Sequence, residues 1–159
     1  MGARPVEVST FGLVDTASLS DTVSLLQLLL ERPRFHRRRG TVTVTAAGDA
    51  MTVEVVMDRW TGHWELRDEE RVLSGEPGRY VPPAVALLAP EHLPVWGRSH
   101  DSWDPVHTER RGQEFTMIAT NRYNPVAQCE VSFDARYLVA TTFKTPAESV
   151  ELVQQSAIV

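Results

Sequence analysis

The sequence predicts an α+β fold: a curved or sandwiched antiparallel sheet of about seven to nine strands, with an N-terminal helix and short central and C-terminal helices. Three observations predict it. In the last third of the chain, Phe115, Met117 and Ala119, then Ala127, Cys129, Val131 and Phe133, then Tyr137, Val139, Thr141 and Phe143 occupy alternate positions, with only tight turns between the runs. Apolar residues recurring with a period of two mark half-buried strands. A second alternating pair fills residues 41–58, and a leucine-crowded helical run precedes it.

Taken in order, Val6 to Val14 reads as a short strand or irregular lead-in. A helix follows from Ser18 or Ser20, with Ser20 and Asp21 suited to its first turn. Val23, Leu25, Leu26, Leu28, Leu29 and Leu30 crowd most of its circumference, so it wants burial on more than one side, and Pro33 ends it. Thr41 to Ala47 and Met51 to Asp58 form a hairpin across Ala47-Gly48-Asp49-Ala50, a turn whose Gly and Asp tolerate positive φ. Val42, Val44 and Ala46 share one face with Met51, Val53, Val55 and Met57, leaving Thr52, Glu54 and Asp58 outward. His63 to Arg67 and Arg71 to Ser74 add two strands around the acidic turn Asp68-Glu69-Glu70, and a short strand is expected around Arg79 to Val81. Pro83 opens a short helix to Leu88, which Pro90 and Pro94 keep from continuing. Residues 96–112 read as a long polar, aromatic loop covering an opening. After the last three strands, Thr145-Pro146-Ala147-Glu148 has the spacing of a capping box, which predicts a terminal helix to about Gln154.

A chain of 159 residues is expected to be a single domain over 1–159, because one core serves roughly 100 to 200 residues. Residues 1–17 form its lead-in. With 42% hydrophobic residues, four Trp and five Phe, there is ample material for that core. The net charge of −5 argues against a nucleic-acid binder, which needs a basic face. No apolar run reaches the roughly 18 residues of a membrane span, and Met1 to Thr10 lack the basic start and apolar stretch of an export signal. A cytoplasmic location is the expectation, although a mature secreted chain would look the same. The single Cys129 falls on an apolar strand face and reads as an inert core thiol.

The order of elements resembles the LolA-like superfamily of lipoprotein carriers and related actinobacterial lipid-binding lipoproteins. It runs from the early apolar helix through the hairpin, the aromatic strand Gly62-His63-Trp64-Glu65-Leu66 and the helical Ala84 to Leu88 with Ala89-Pro90-Glu91-His92-Leu93. The strand Gln113 to Thr120, the strand Cys129 to Phe133, the turn Asp134-Ala135-Arg136 and the strand Tyr137 to Phe143 complete it. The resemblance spans most of residues 18–154. It implies an incomplete barrel whose concave apolar face, covered by helices, leaves room for an acyl chain or another hydrophobic small molecule. On that reading the protein is non-enzymatic, takes no cofactor, and binds its ligand with Val53, Val55, Trp64, Leu66, Trp103, Phe115, Met117 and Phe133.

Other constellations support other functions. The stretch from His100 to His107 holds two imidazoles and two carboxylates, the residue types of a metal or acid–base site, so His100, Asp104 and His107 are the catalytic candidates for a small cyclase or isomerase with a closed apolar chamber. Its spacing lacks the helical register of zinc motifs and Pro105 breaks any helix, so no metal is assigned. Glycine-rich phosphate loops and the Gly-x-Ser-x-Gly elbow are absent from the sequence. The basic run Arg34 to Arg39 is a candidate contact for an acidic protein partner, or simply a solvated helix exit. Of the tryptophans, Trp64 reads as core or cavity wall and Trp103 as part of a lid.

Overall fold

The computed structural model describes residues 16–31, 37–76 and 80–158, with the side chains of 16–18 and 30–31 left aside. The expected lead-in strand from Val6 to Val14, and Arg32 to His36 of the basic run, lie outside the described residues.

Helix α1 spans Thr16–Glu31. Strands β1 (Arg37–Ala46), β2 (Asp49–Asp58), β3 (Trp64–Arg67) and β4 (Val72–Gly75) follow, then the single helical turn α2 (Pro83–Ala86) and a 3-10 turn, Pro90–His92. Strands β5 (Trp103–Arg111), β6 (Glu114–Asn121), β7 (Gln128–Asp134), β8 (Val139–Lys144) and β9 (Glu148–Ala157) complete the fold. The nine strands among the described residues join one antiparallel sheet in the order β4-β3-β2-β1-β9-β8-β7-β6-β5. Two meanders, β1 to β4 and β5 to β9, are thus zipped together where β1 pairs with β9. The expected fold class is therefore observed, as an open curved sheet and not a closed barrel.

The first hairpin forms in the register its alternation demands, with Val42 opposite Val53 and Val44 opposite Met51. Its connection is tighter than expected. Only Ala47 (φ 53°) and Gly48 (φ 84°) lie between the strands, both left-handed as a type I′ turn requires.

The terminal helix expected from Thr145 to Gln154 is replaced by β9. The capping chemistry is present, since the Thr145 hydroxyl accepts the amides of Ala147 and Glu148 at 3.2 and 3.1 Å. It closes a turn instead, because the Thr145 amide donates back to the Glu148 carbonyl at 2.8 Å. The chain is then taken up between β1 and β8, where two neighbours satisfy its backbone. Val150 and Leu152 face the core there, and a bulge against Thr41 and Val42 resets the phase so that Gln155 meets Arg38.

The covering loop expected over 96–112 is also overturned. Most of it is β5, paired with β6 from Trp103–Asn121 to Arg111–Glu114, with a bulge near Pro105 that disguised the alternation. Of that stretch only 96–102 and the turn residue Gly112 lie outside the strand. Trp103, expected as a lid, is 8% exposed in the core, whereas Trp60 is 76% exposed at the β2–β3 turn. Tyr80 and Val81 belong to no strand. In β8 the expected Tyr137, Val139, Thr141, Phe143 face is broken by an irregularity after Ser132: Val139, Ala140 and Phe143 are buried and Tyr137 is exposed.

Candidate functional site

The concave face is built by alternate residues of every strand. One row runs Val55, Leu66, Leu73 from β2 to β4, and another runs Val42, Val53 and Leu152 across β1, β2 and β9. On the far meander, Phe115 and Phe133 pair across β6 and β7, as do Met117 and Val131. The structure therefore brings the ligand-binding candidates Val53, Val55, Trp64, Phe115, Met117 and Phe133, with Trp103, into one buried cluster, and Leu66 packs against it.

The chain's own middle segment fills the hollow above them. Ala84 through Pro90, Leu93 and Val95 are all buried. Four prolines, Pro82, Pro83, Pro90 and Pro94, hold this segment to one helical turn and one 3-10 turn, short enough to fit inside the curve. The Leu87 carbonyl accepts the Ala140 amide of β8 at 2.7 Å. Leu88 sits on Gly40: a Cβ on that glycine would lie 2.9 Å from Leu152 Cδ1 and 3.3 Å from Leu88 Cδ2.

Polar clasps hold the segment down. The Arg59 guanidinium, 7% exposed, grips Glu91 with Nε at 3.0 Å and Nη2 at 2.5 Å, and donates through Nη1 to the Leu138 carbonyl at 3.1 Å. Three separate pieces of chain are tied by that one side chain: the β2–β3 turn, the 3-10 turn and the β7–β8 turn. At the other end Asp101, 1% exposed, accepts the amides of Trp96 and Arg98 and a two-pronged contact from the Arg98 guanidinium. Burial alone pushes the Asp101 carboxyl up, but the hydrogen bonds from Arg98 and Trp96 outweigh it and hold it below the ordinary range. Trp96 caps the arrangement, its indole N–H on the Pro90 carbonyl at 3.0 Å and its ring 5.7 Å from that of Phe133. Nothing near Glu91 in the sequence marks its partner, because Arg59 lies 32 residues away.

The catalytic candidates are engaged separately. The His100 side chain is exposed, with its Nε2 3.6 Å from the Asp101 carboxylate. Asp104 pairs with Arg122 at 2.6 Å, a contact that raises the guanidinium's pKa. His107 lies on the outer face of β5, on the rim of a shallow polar depression of about 500 Å³ with Glu109, Glu114, Ile118 and Glu130. Among the described residues no group of three or more His, Cys, Asp or Glu side chains is placed to hold a metal.

In the basic run, Arg38 points inward, buried, with its side chain on Gln155 and 5.8 Å from the Tyr137 ring, while Arg37 and Arg39 face solvent. Burial, then the nearby Arg59, lowers the Arg38 pKa.

An open antiparallel sheet wrapped around its own short helical segment, with a longer helix along one edge, is a LolA-like fold. The chain is similar to the crystal structure of MucB, with a TM-score of 0.56 and 15% identity over 88% of this chain and 60% of that one. It is also similar to MucB in complex with MucA(peri), at TM-score 0.52 and 14% identity over 87% of this chain and 56% of that one. The Pseudomonas aeruginosa MucA/MucB complex matches at TM-score 0.52 and 14% identity, over 87% and 58% of the two chains. This chain thus spans at most 60% of the length of those structures. At such identities the likeness establishes the fold alone. No protein-family model matches the sequence, and no curated protein matches it by sequence. No described helix is long and apolar enough to cross a membrane.

Proposed function

We propose that this domain is a non-enzymatic binding module whose ligand is a partner polypeptide. The observation that carries the reading is the filling of the concave face: the residues expected to grip an acyl chain are buried in one cluster with the chain's own Ala84 to Ala89. Binding therefore uses surfaces other than the hollow itself. Similar folds have been captured with a protein, MucA, bound to MucB. The His100 to His107 candidates do not converge on one point: His100 lies beside Asp101, Asp104 pairs with Arg122, and His107 lies 3.9 Å from Glu109.

A second reading, binding of a hydrophobic molecule, is favoured by how little backbone secures the filling segment to the sheet: the Leu87 carbonyl accepts from Ala140 of β8 and the Pro94 carbonyl from Trp103 of β5. Its displacement would expose Val53, Val55, Phe115 and Met117. Photo-cross-linking in the source cells together with displacement of a fluorescent fatty acid separates the two. A polypeptide cross-linked at one mapped surface, with no fatty acid taken up, is the expected result. Stoichiometric fatty-acid uptake with no cross-linked polypeptide would replace the first reading with the second.

A further inference from the structure

The two edges of the sheet are treated differently. Along β5, α1 guards the edge: Asp21 Oδ2 accepts the outward Arg110 amide at 3.1 Å, and the Thr22 hydroxyl lies 2.7 Å from that of Thr108. Pro105 and a bulge interrupt the same strand. These are the devices by which proteins prevent a sheet from recruiting another strand. The edge formed by β4 has none of them. Val72-Leu73-Ser74-Gly75 contains no proline, lysine or bulge, β3 is its only strand partner among the described residues, and Val72 and Leu73 are 51% and 45% exposed.

The open backbone groups can be assigned. The Asp68 amide donates to the Arg71 carbonyl at 3.1 Å, which makes that pair a hydrogen-bonded one. Pairs alternate along an antiparallel ladder, so Leu73 and Gly75 bond inward to β3, while the N–H and C=O of Val72 and Ser74 point away from it. Leu73 continues the apolar row of Val55 and Leu66, which an added strand would extend. At the end of β4, Trp64 lies over Gly75 with its buried indole N–H lacking an acceptor among the described residues.

Charge decides the occupant. Residues 63–76 carry five carboxylates, at Glu65, Asp68, Glu69, Glu70 and Glu76, against the two guanidiniums of Arg67 and Arg71. Antiparallel pairing of two copies through β4 would bring the acidic turn of one against Glu76 of the other, which like-charge repulsion opposes. A basic strand meets no such obstacle.

We propose that β4 is a docking edge for an extended, basic segment of a partner protein, which joins the sheet as a tenth strand. The proposal rests on the partner-binding reading above and names where and how the partner docks. The test titrates the full chain, labelled with nitrogen-15, with a capped octapeptide alternating lysine and valine. Expected are amide shifts confined to residues around 64–67 and 72–75, a shift of the Trp64 indole N–H, and about tenfold weaker binding in high salt. N-methylation of the peptide backbone should abolish binding, and so should Ser74→Pro. Because the Ser74 amide points outward, this variant should melt like the parent, and an unchanged melt is the control for folding. Replacing Glu69, Glu70 and Glu76 with lysine should switch preference to a peptide alternating glutamate and valine.

Shifts elsewhere, or binding indifferent to N-methylation or to Ser74→Pro, would overturn the docking edge yet leave the partner-binding reading intact, since that reading is decided by cross-linking. A dimer abolished by Ser74→Pro would make a second copy the occupant. Slow hydrogen exchange at Val72 and Ser74 without peptide would make it the chain itself. Either result overturns the proposal.

Discussion

The indole of Trp64 rests directly on Gly75: a Cβ at Gly75 would lie 2.2 Å from both Cε2 and Nε1 of the ring. The two residues are opposite each other on β3 and β4, so the glycine's missing side chain is the space the tryptophan occupies. A short edge strand with little else to hold it is thereby stapled to the core.

Gly75→Val should therefore displace the indole and detach β4, lowering stability by about 2 kcal/mol, the usual scale of overpacking. Chemical denaturation measures the loss, and a red shift of tryptophan emission reports an indole newly in water.

Removing the Arg59 clasp should cost more than a surface ion pair does. Arg59→Ala leaves Glu91 partly buried and the Leu138 carbonyl without its donor, for a loss of about 3 kcal/mol by denaturation. Arg59→Lys should recover only part of it, because a single ammonium cannot hold both Glu91 oxygens and the carbonyl at once.

Acid should weaken the fold through Asp101. Its folded pKa is depressed, so its contribution is fully present above the unfolded value of about 3.9 and is lost as pH falls through the folded value. Asp101→Asn should lower stability near neutral pH and flatten its dependence on pH below about 4, as read from melts across an acid series.

Cys129 should be silent to thiol reagents in the native protein. Burial in β7 pushes its thiol up to about 12, leaving almost no thiolate at neutral pH. Alkylation followed by mass spectrometry should be negligible until denaturant is added, then complete. Rapid labelling of the folded protein would contradict the packing of β7 against β6.

Much of the sheet was legible because period-two alternation is a local property. The face shared by Val42, Val53, Val55 and Met57, the strands carrying Phe115 and Phe133, and the turn at Gly48 all follow from neighbours a few residues apart. The errors have local causes as well. A bulge at Pro105 breaks alternation and makes β5 look like a loop, and Thr145 offers the same hydroxyl to a turn as it would to a helix.

The site was legible in its materials but not in its arrangement. Val53, Trp64, Phe115 and Met117 could be picked as one apolar face, yet nothing near them says that Ala84 to Pro90 lies on that face. The pairing of Arg59 with Glu91, and the guarding of β5 by Asp21, join residues far apart in the chain.

By itself the sequence determined which residues alternate, where the chain turns and where helix stops, because backbone sterics and side-chain burial act over a few residues. Only the tertiary structure decided that the last segment is a strand, that the hollow is filled from within, and that α1 covers one edge while no described strand pairs with the outer side of the other. Those outcomes depend on which distant segment satisfies a strand's hydrogen bonds, and a strand cannot specify its neighbour by its own residues alone.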